Sequence, residues 1–238
     1  SACLVGSEMC IRDRASSNPR FMFVEHDFAG GAFEFHANYD DSTILLLGHM
    51  LGAVATSGAG PFTHTVTLAS PQPVGLTIEQ IKGTPTAAFT NTAEVFEGCK
   101  IATGRIYLTA GGILTISGEV IAQTSQGLTT PGTPTYTAGE RILHNHAAGV
   151  SVGGSARAVQ SLTIDITRGL SRNHEIGSLF TSEPYENEEM SVTFELQTLM
   201  QVENFHAAHL ADTQADIEIV FTGSGGKTLT LTGHNATI

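Results

Sequence analysis

The sequence has no Trp, 3 Cys and only 11 Lys and Arg among its 238 residues. Each shortage excludes something. Lys and Arg are outnumbered by 23 Asp and Glu, giving a net charge of −12. A protein that grips duplex nucleic acid through its phosphates needs the opposite sign. No run approaches the roughly 18 consecutive apolar residues of a membrane-spanning helix. What is present is 41% apolar, too much for general disorder, in a chain long enough to bury a substantial core. Thr is abundant, as on half-exposed strands, and 26 Gly and 8 Pro punctuate the chain. Together these describe an acidic, soluble, all-β domain.

The first residues stand apart. Ser1–Arg14, SACLVGSEMCIRDR, shows neither strand alternation nor a helix face, and lacks the long apolar run of a signal peptide. Leu4–Asp13 resembles the translation of a transposon-end adapter used in sequencing libraries. Residues 1–14 are therefore expected to be non-native, with Cys3 and Cys10 carrying no biology and the natural start missing. Cys99 is then alone and has no internal disulfide partner. Its expected role is that of a small buried apolar residue.

Beyond residue 14 the pattern divides into a first β region (15–125), a long connection (126–160) and a second β region (161–238) whose C-terminus is expected to be truncated. A kinked strand or hairpin is expected around Gly30-Gly31. Asp40–Gly52 predicts a short helix capped by Asp41 or Ser42, with Ile44, Leu47 and Leu51 on one face. Strands are expected at Phe62–Leu68 and Val74–Glu79, then a meander over Glu94–Gln123 turning at Gly111-Gly112. There Ile106 and Leu108 share one face, and Leu114, Ile116 and Val120 another. Gln123–Thr137, rich in Thr, Gly and Pro, predicts a long loop. Ser161–Thr167 and Met190–Gln197 alternate cleanly, with Leu162, Ile164, Val192, Phe194 and Leu196 inward. Gln201–Asp212 switches to helical spacing, and Asp216–Phe221 and Thr228–Thr232 flank a hairpin turn at Gly223–Gly226. Gly75–Glu79 and Ser161–Asp165 echo each other weakly, which leaves a duplication open.

No constellation carries a catalytic or metal assignment, and no cofactor is expected. Gly223-Ser-Gly-Gly-Lys-Thr228 has Phe221 where a phosphate loop needs its first Gly, and a strand follows where a helix is required. His144 and His146 would share a strand face but lack a third ligand. His206 and His209 sit three apart on the predicted helix without an acidic partner pattern. Glu183–Glu189, EPYENEE, lacks the alternating oxygens and central Gly of a calcium loop and predicts a solvated turn.

The order of segments from about Phe23 to Ile238 resembles the phage tail tube proteins. The resemblance rests on Gly30–Phe35 (GGAFEF), Leu47-Gly48 and Leu51-Gly52, Phe62–Thr65, Leu76–Glu79, Phe96–Ile101, Val159–Asp165, Ile176-Gly177 and Ser191–Phe194. It implies a mainly β subunit, an antiparallel β-sandwich or half-barrel with one or two short flanking helices. It implies a structural, non-enzymatic role in the virion tail, in a protein made in the host cytoplasm. Copies would self-assemble with other tail proteins into stacked rings, hexameric, or trimeric and pseudo-hexameric if the halves are duplicated. Double-stranded DNA would pass through the bore without specific binding, and no membrane is involved. Bore-facing strands are expected from Gly98–Gln123 and Glu189–Gln197, where Glu119 and Glu195 stand against Lys100 and Arg105, so the local charge balance stays open. The alternative is a carbohydrate-binding or adhesin-like β domain at a tail tip. It would need clustered surface aromatics, and these are only 7% of the chain. A hydrolase would need a concave site with convergent polar groups.

Overall fold

In the computed structural model, alternation of apolar and polar residues resolves, among the described residues, into two larger antiparallel sheets and two two-stranded ones. The structure describes residues 29–59, 62–81, 93–128, 130, 132–133, 139–177, 181–198 and 214–237. In chain order the elements are β1 (Ala29–His36), α1 (Asp41–Leu51), β2 (Gly52–Ser57), β3 (Thr63–Leu68), β4 (Leu76–Ile81), β5 (Ala93–Thr109), β6 (Thr115–Ala122) and β7 (Thr124–Leu128). They continue with β8 (Ala147–Val152), β9 (Ser155–Arg157), β10 (Val159–Thr167), the two-residue strands β11 (Leu170–Ser171) and β12 (Tyr185–Glu186), β13 (Ser191–Thr198), β14 (Gln214–Thr222) and β15 (Thr228–Thr237).

The larger sheet runs β1-β6-β5-β10-β13, with β4 and β7 flanking the first half of β5; the second runs β15-β14-β8-β9; the two-stranded ones are β2-β3 and β11-β12. Neither closes into a barrel, and the fold is a β-sandwich. Register explains the core. Phe35, Ile116, Ile106, Ile164 and Phe194 lie directly opposite one another across five strands, forming one apolar row on the inner face. Ile217, Ile219 and Phe221 of β14 and Val150 and Val152 of β8 belong to the same buried cluster. Ring atoms of Phe194 sit only 2.8 Å from where a Cβ on Gly233 of β15 would lie, so Gly there lets the sheets close. Val192, Phe194 and Leu196 alternate inward as expected but are half-buried, because β13 ends its sheet.

Three expectations are corrected. Asp40, not Asp41 or Ser42, caps α1: its carboxylate accepts from Thr43 N–H at 3.2 Å, one residue before the helix begins. The buried face of α1 is Thr43, Leu47 and Met50, with Ile44 and Leu51 only half-buried. The Gln123–Thr137 loop, which opens the 126–160 connection, starts as a strand, and β8 and β9 lie further along that connection. β5 is 17 residues long, so it outruns β6 and leaves backbone groups for β7 to pair. At the junction Gly98 takes φ 62, a left-handed conformation suited to Gly, and the Gln123 side chain fills the space where a Cβ would lie. Gln123 N–H donates to Glu97 O at 2.9 Å, and both strands bend together. His144–His146, expected as a polar strand or loop, form a 3-10 turn with no buried residue, so the two rings do not share a strand face. The helix predicted at 201–212, with His206 and His209, and the 1–14 segment lie outside the described residues.

Candidate functional site: an acidic sheet face and its anchored arm

The outer face of the larger sheet follows from the same registers. Glu34, Ser117, Arg105, Asp165 and Thr193 form one row across the five strands, beside His36, Thr115, Tyr107, Thr163 and Glu195. Glu119 adds a further carboxylate in the next row, between Ala32 and Thr103. The face is therefore Thr- and Ser-rich and carries Glu34, Glu119, Asp165 and Glu195 against Arg105. Arg105 does not act as a free cation: its Nε donates to Asp165 Oδ1 at 2.6 Å, and Nη2 to Oδ2 at 3.2 Å. That pairing pushes the Arg105 pKa further up. Lys100, the other cation of the meander, is drawn off the face; its Nζ sits 3.2 Å from Glu183 Oε1 with its side chain 12% exposed. The balance that the sequence left open is thus acidic.

A second feature was invisible in the sequence. Among the described residues β2 and β3 pair only with each other, forming a two-stranded arm that follows α1. Its base is held by Arg168, whose side chain is 1% exposed. Arg168 donates from Nε to Met50 O at 2.8 Å and from Nη2 to Ala69 O at 3.0 Å, one carbonyl on each side of the arm. Nη1 pairs with Glu186. Burial pushes the Glu186 pKa up, but hydrogen bonds from Ser70 Oγ, Arg168 and Gln72 N–H outweigh it and hold the carboxyl below its ordinary value. Glu183 accepts from Gly75 N–H at 3.0 Å. The acidic run EPYENEE, expected to be a solvated turn, therefore supplies two structural carboxylates. No local pattern announces this, because their partners lie far away in sequence.

A third cluster joins two motifs that had been set aside. Glu140 accepts from Ser224 N–H at 2.9 Å and Ser224 Oγ–H at 2.6 Å, and lies 3.8 Å from His146 Nε2. Leu143 N–H donates to His146 Nδ1 at 3.5 Å, and Tyr39 Oη lies 3.3 Å from the same nitrogen. Burial, then the Glu140 charge, pushes the Tyr39 phenol up to about 12. The Ser224 hydrogen bonds hold Glu140 below its ordinary value. The Gly223–Gly226 turn is thus pinned by a carboxylate and is a hairpin turn between β14 and β15, as expected. Cys99 is buried and its thiol is pushed up by burial to about 11, so it is a packing residue. Among the described residues no group of three His, Cys, Asp or Glu is placed to hold a metal ion, and no helix is long and apolar enough to cross a membrane.

A two-sheet sandwich with a broad acidic face and a projecting arm belongs to the class of structural proteins that act through extended surfaces. Residues 25–238 match the phage tail tube proteins, and the chain belongs to that family. No curated protein matches the chain. Membership makes it a structural tail tube subunit of the virion tail, one that self-assembles there with other tail proteins.

Proposed function

We propose that copies of this chain close into rings, hexameric or trimeric, that stack into a tube, with the outer face of the larger sheet lining the bore. The observation that carries this reading is the charge count on that face: Glu34, Glu119, Asp165 and Glu195 against an Arg105 already bonded to Asp165. Each Lys or Arg that pairs with a phosphate releases counterions and adds a sequence-independent attraction. A cationic wall would hold a passing duplex; a wall of carboxylates and hydroxyls repels it and keeps water between. The role is conduction and not catalysis. The subunit is made in the host cytoplasm. Cyclic, head-to-tail contacts that also stack are what such a filament requires. No observation favours an adhesin.

The test is retention of duplex DNA by assembled tubes at physiological salt. Unaltered tubes should retain little. Tubes of Glu119→Lys/Glu195→Lys should bind it with a steep salt dependence. Submicromolar binding by unaltered tubes would contradict the conduit reading.

A further inference from the structure

From Ser42 to Ile78 the chain contains no Asp, Glu, Lys or Arg, in a protein of net charge −12. That stretch is the helix and the β2–β3 arm. The arm is exposed along most of both strands. One of its faces carries Val54, Val66 and Leu68, set by the Val54–Val66 and Gly52–Leu68 pairings; Val54 lies against Gly48 of α1 and Val66 is half-buried on the core of its own copy, while Leu68 is exposed. Phe62, just before β3, is 63% exposed and its ring lies 6.5 Å from that of His64. The other face is Ala53, Ala55, Thr65 and Thr67.

A lone two-stranded ribbon is marginal in water, and an unpaired strand edge is a template for another strand. Proteins that must stay apart guard such edges with charge. Among the described residues the ends of the two larger sheets follow that rule with one exception. β1, β9 and β13 carry Glu34, Arg157 and Glu195, and the flanking β4 carries Glu79. β15, ten residues long at the end of the second sheet, has no Asp, Glu, Lys or Arg. The unguarded flanking strand β7 is only five residues long.

We propose that the β2–β3 arm of one copy adds to the free edge of β15 of a second copy, extending the second sheet across the subunit boundary. The occupant follows from charge. Two copies of a strongly acidic chain repel, and they approach at least cost where both surfaces are uncharged. The patterns also match. Thr65-Val-Thr-Leu68 and Thr228-Leu-Thr-Leu231 alternate hydroxyl and aliphatic side chains in the same order. On pairing, Thr can meet Thr on one face, while the exposed Leu68 can extend the layer of Leu229 and Leu231, which pack on the core. The contact is head-to-tail, arm to edge, so it leaves each copy with one arm and one edge to give. Arg168 fixes the direction in which the arm is offered.

This rests on the tail tube reading, and the experiment separates the two. The full chain is compared by electron microscopy and sedimentation with Thr65→Lys, Thr230→Lys and the pair Thr65→Lys/Thr230→Glu, all at exposed strand positions. Thermal melts check folding; if either Lys variant melts early, Thr63→Lys and Thr232→Lys replace it. The unaltered chain should form rings or tubes. Each single Lys variant should stay folded and raise the assembly concentration by roughly tenfold or more, a change of about 1.4 kcal/mol. The oppositely charged pair should restore assembly. Normal assembly of either Lys variant, or no rescue by the pair, overturns the arm-to-edge contact while leaving tube formation intact. Absence of any assembly by the unaltered chain contradicts the tail tube reading, and this contact falls with it.

Discussion

The larger sheet and the β2–β3 arm are both antiparallel β-structure, yet they are stabilised differently. In the sheet, one register row places Phe35, Ile116, Ile106, Ile164 and Phe194 side by side, and slipping any strand by one residue would turn its apolar set to water. Burial therefore fixes register from within. The arm is exposed along most of both strands; its Gly52 end is buried, Val54 meets Gly48 of α1, and Val66 is half-buried against the core. What fixes it is at its base, where one buried guanidinium holds the chain on both sides of it. Core strands specify the fold, whereas the arm is positioned by it and, among the described residues, stays exposed along most of its length.

Breaking the anchors should show this difference most strongly. Arg168→Ala leaves Glu186 buried without its counter-ion and strips donors from Met50 O and Ala69 O; the expected loss is about 3–5 kcal/mol, read by denaturant unfolding. Arg168→Lys keeps the charge but loses the fork and should recover only part of it. Phe221→Ala, at a residue with 0% exposure, should cost about 3–5 kcal/mol, and Phe194→Ala, half-buried on the end strand, distinctly less. In the arm, Phe62→Ser should change unfolding stability by no more than about 0.5 kcal/mol.

Acid sharpens the comparison. Glu140 ionises below its ordinary 4.5 because Ser224 donates to it. A lowered carboxyl pKa contributes stability that is present above the unfolded value and lost as pH falls through the folded one. The Gly223–Gly226 turn should therefore loosen as pH drops below about 4.5, seen as faster amide exchange at Ser224. Glu140→Gln should remove that dependence while leaving the β2–β3 arm unaffected. The smallest effect is expected from deleting residues 1–14: we propose that this segment is foreign to the fold, so the melting temperature should not move.

How much of this was legible in sequence depended on whether the cause was local. Ser161–Thr167 and Met190–Gln197 alternate strictly, and both became strands with the expected faces. The helix was found from its spacing, but its cap was misplaced by a residue because Asp40, Asp41 and Ser42 can all cap. The length of β5 was not legible, since the meander pattern over Glu94–Gln123 does not tell that one strand runs through Gly98 and Gly104, which permit a bend and a close contact with Met50. Arg168 and Glu186 carried no signal: their other partners, Met50, Ala69, Ser70 and Gln72, lie about a hundred residues away in sequence. Nor did Glu140, which unites His146 with the Gly223–Gly226 turn. For the acidic face, alternation gave the side on which Glu119 and Glu195 lie, but only the fold showed that Lys100 and Arg105 are each taken by a carboxylate.

The most direct test is an electron cryomicroscopy map of the assembled tube, resolved well enough to place strands. The expected result is a ring in which Glu34, Glu119 and Glu195 point into a net-negative bore, with the inner apolar row buried within each subunit. A map that turns this face outward or buries it between rings, or a bore lined by a net positive charge, would contradict the conduit built on this sheet.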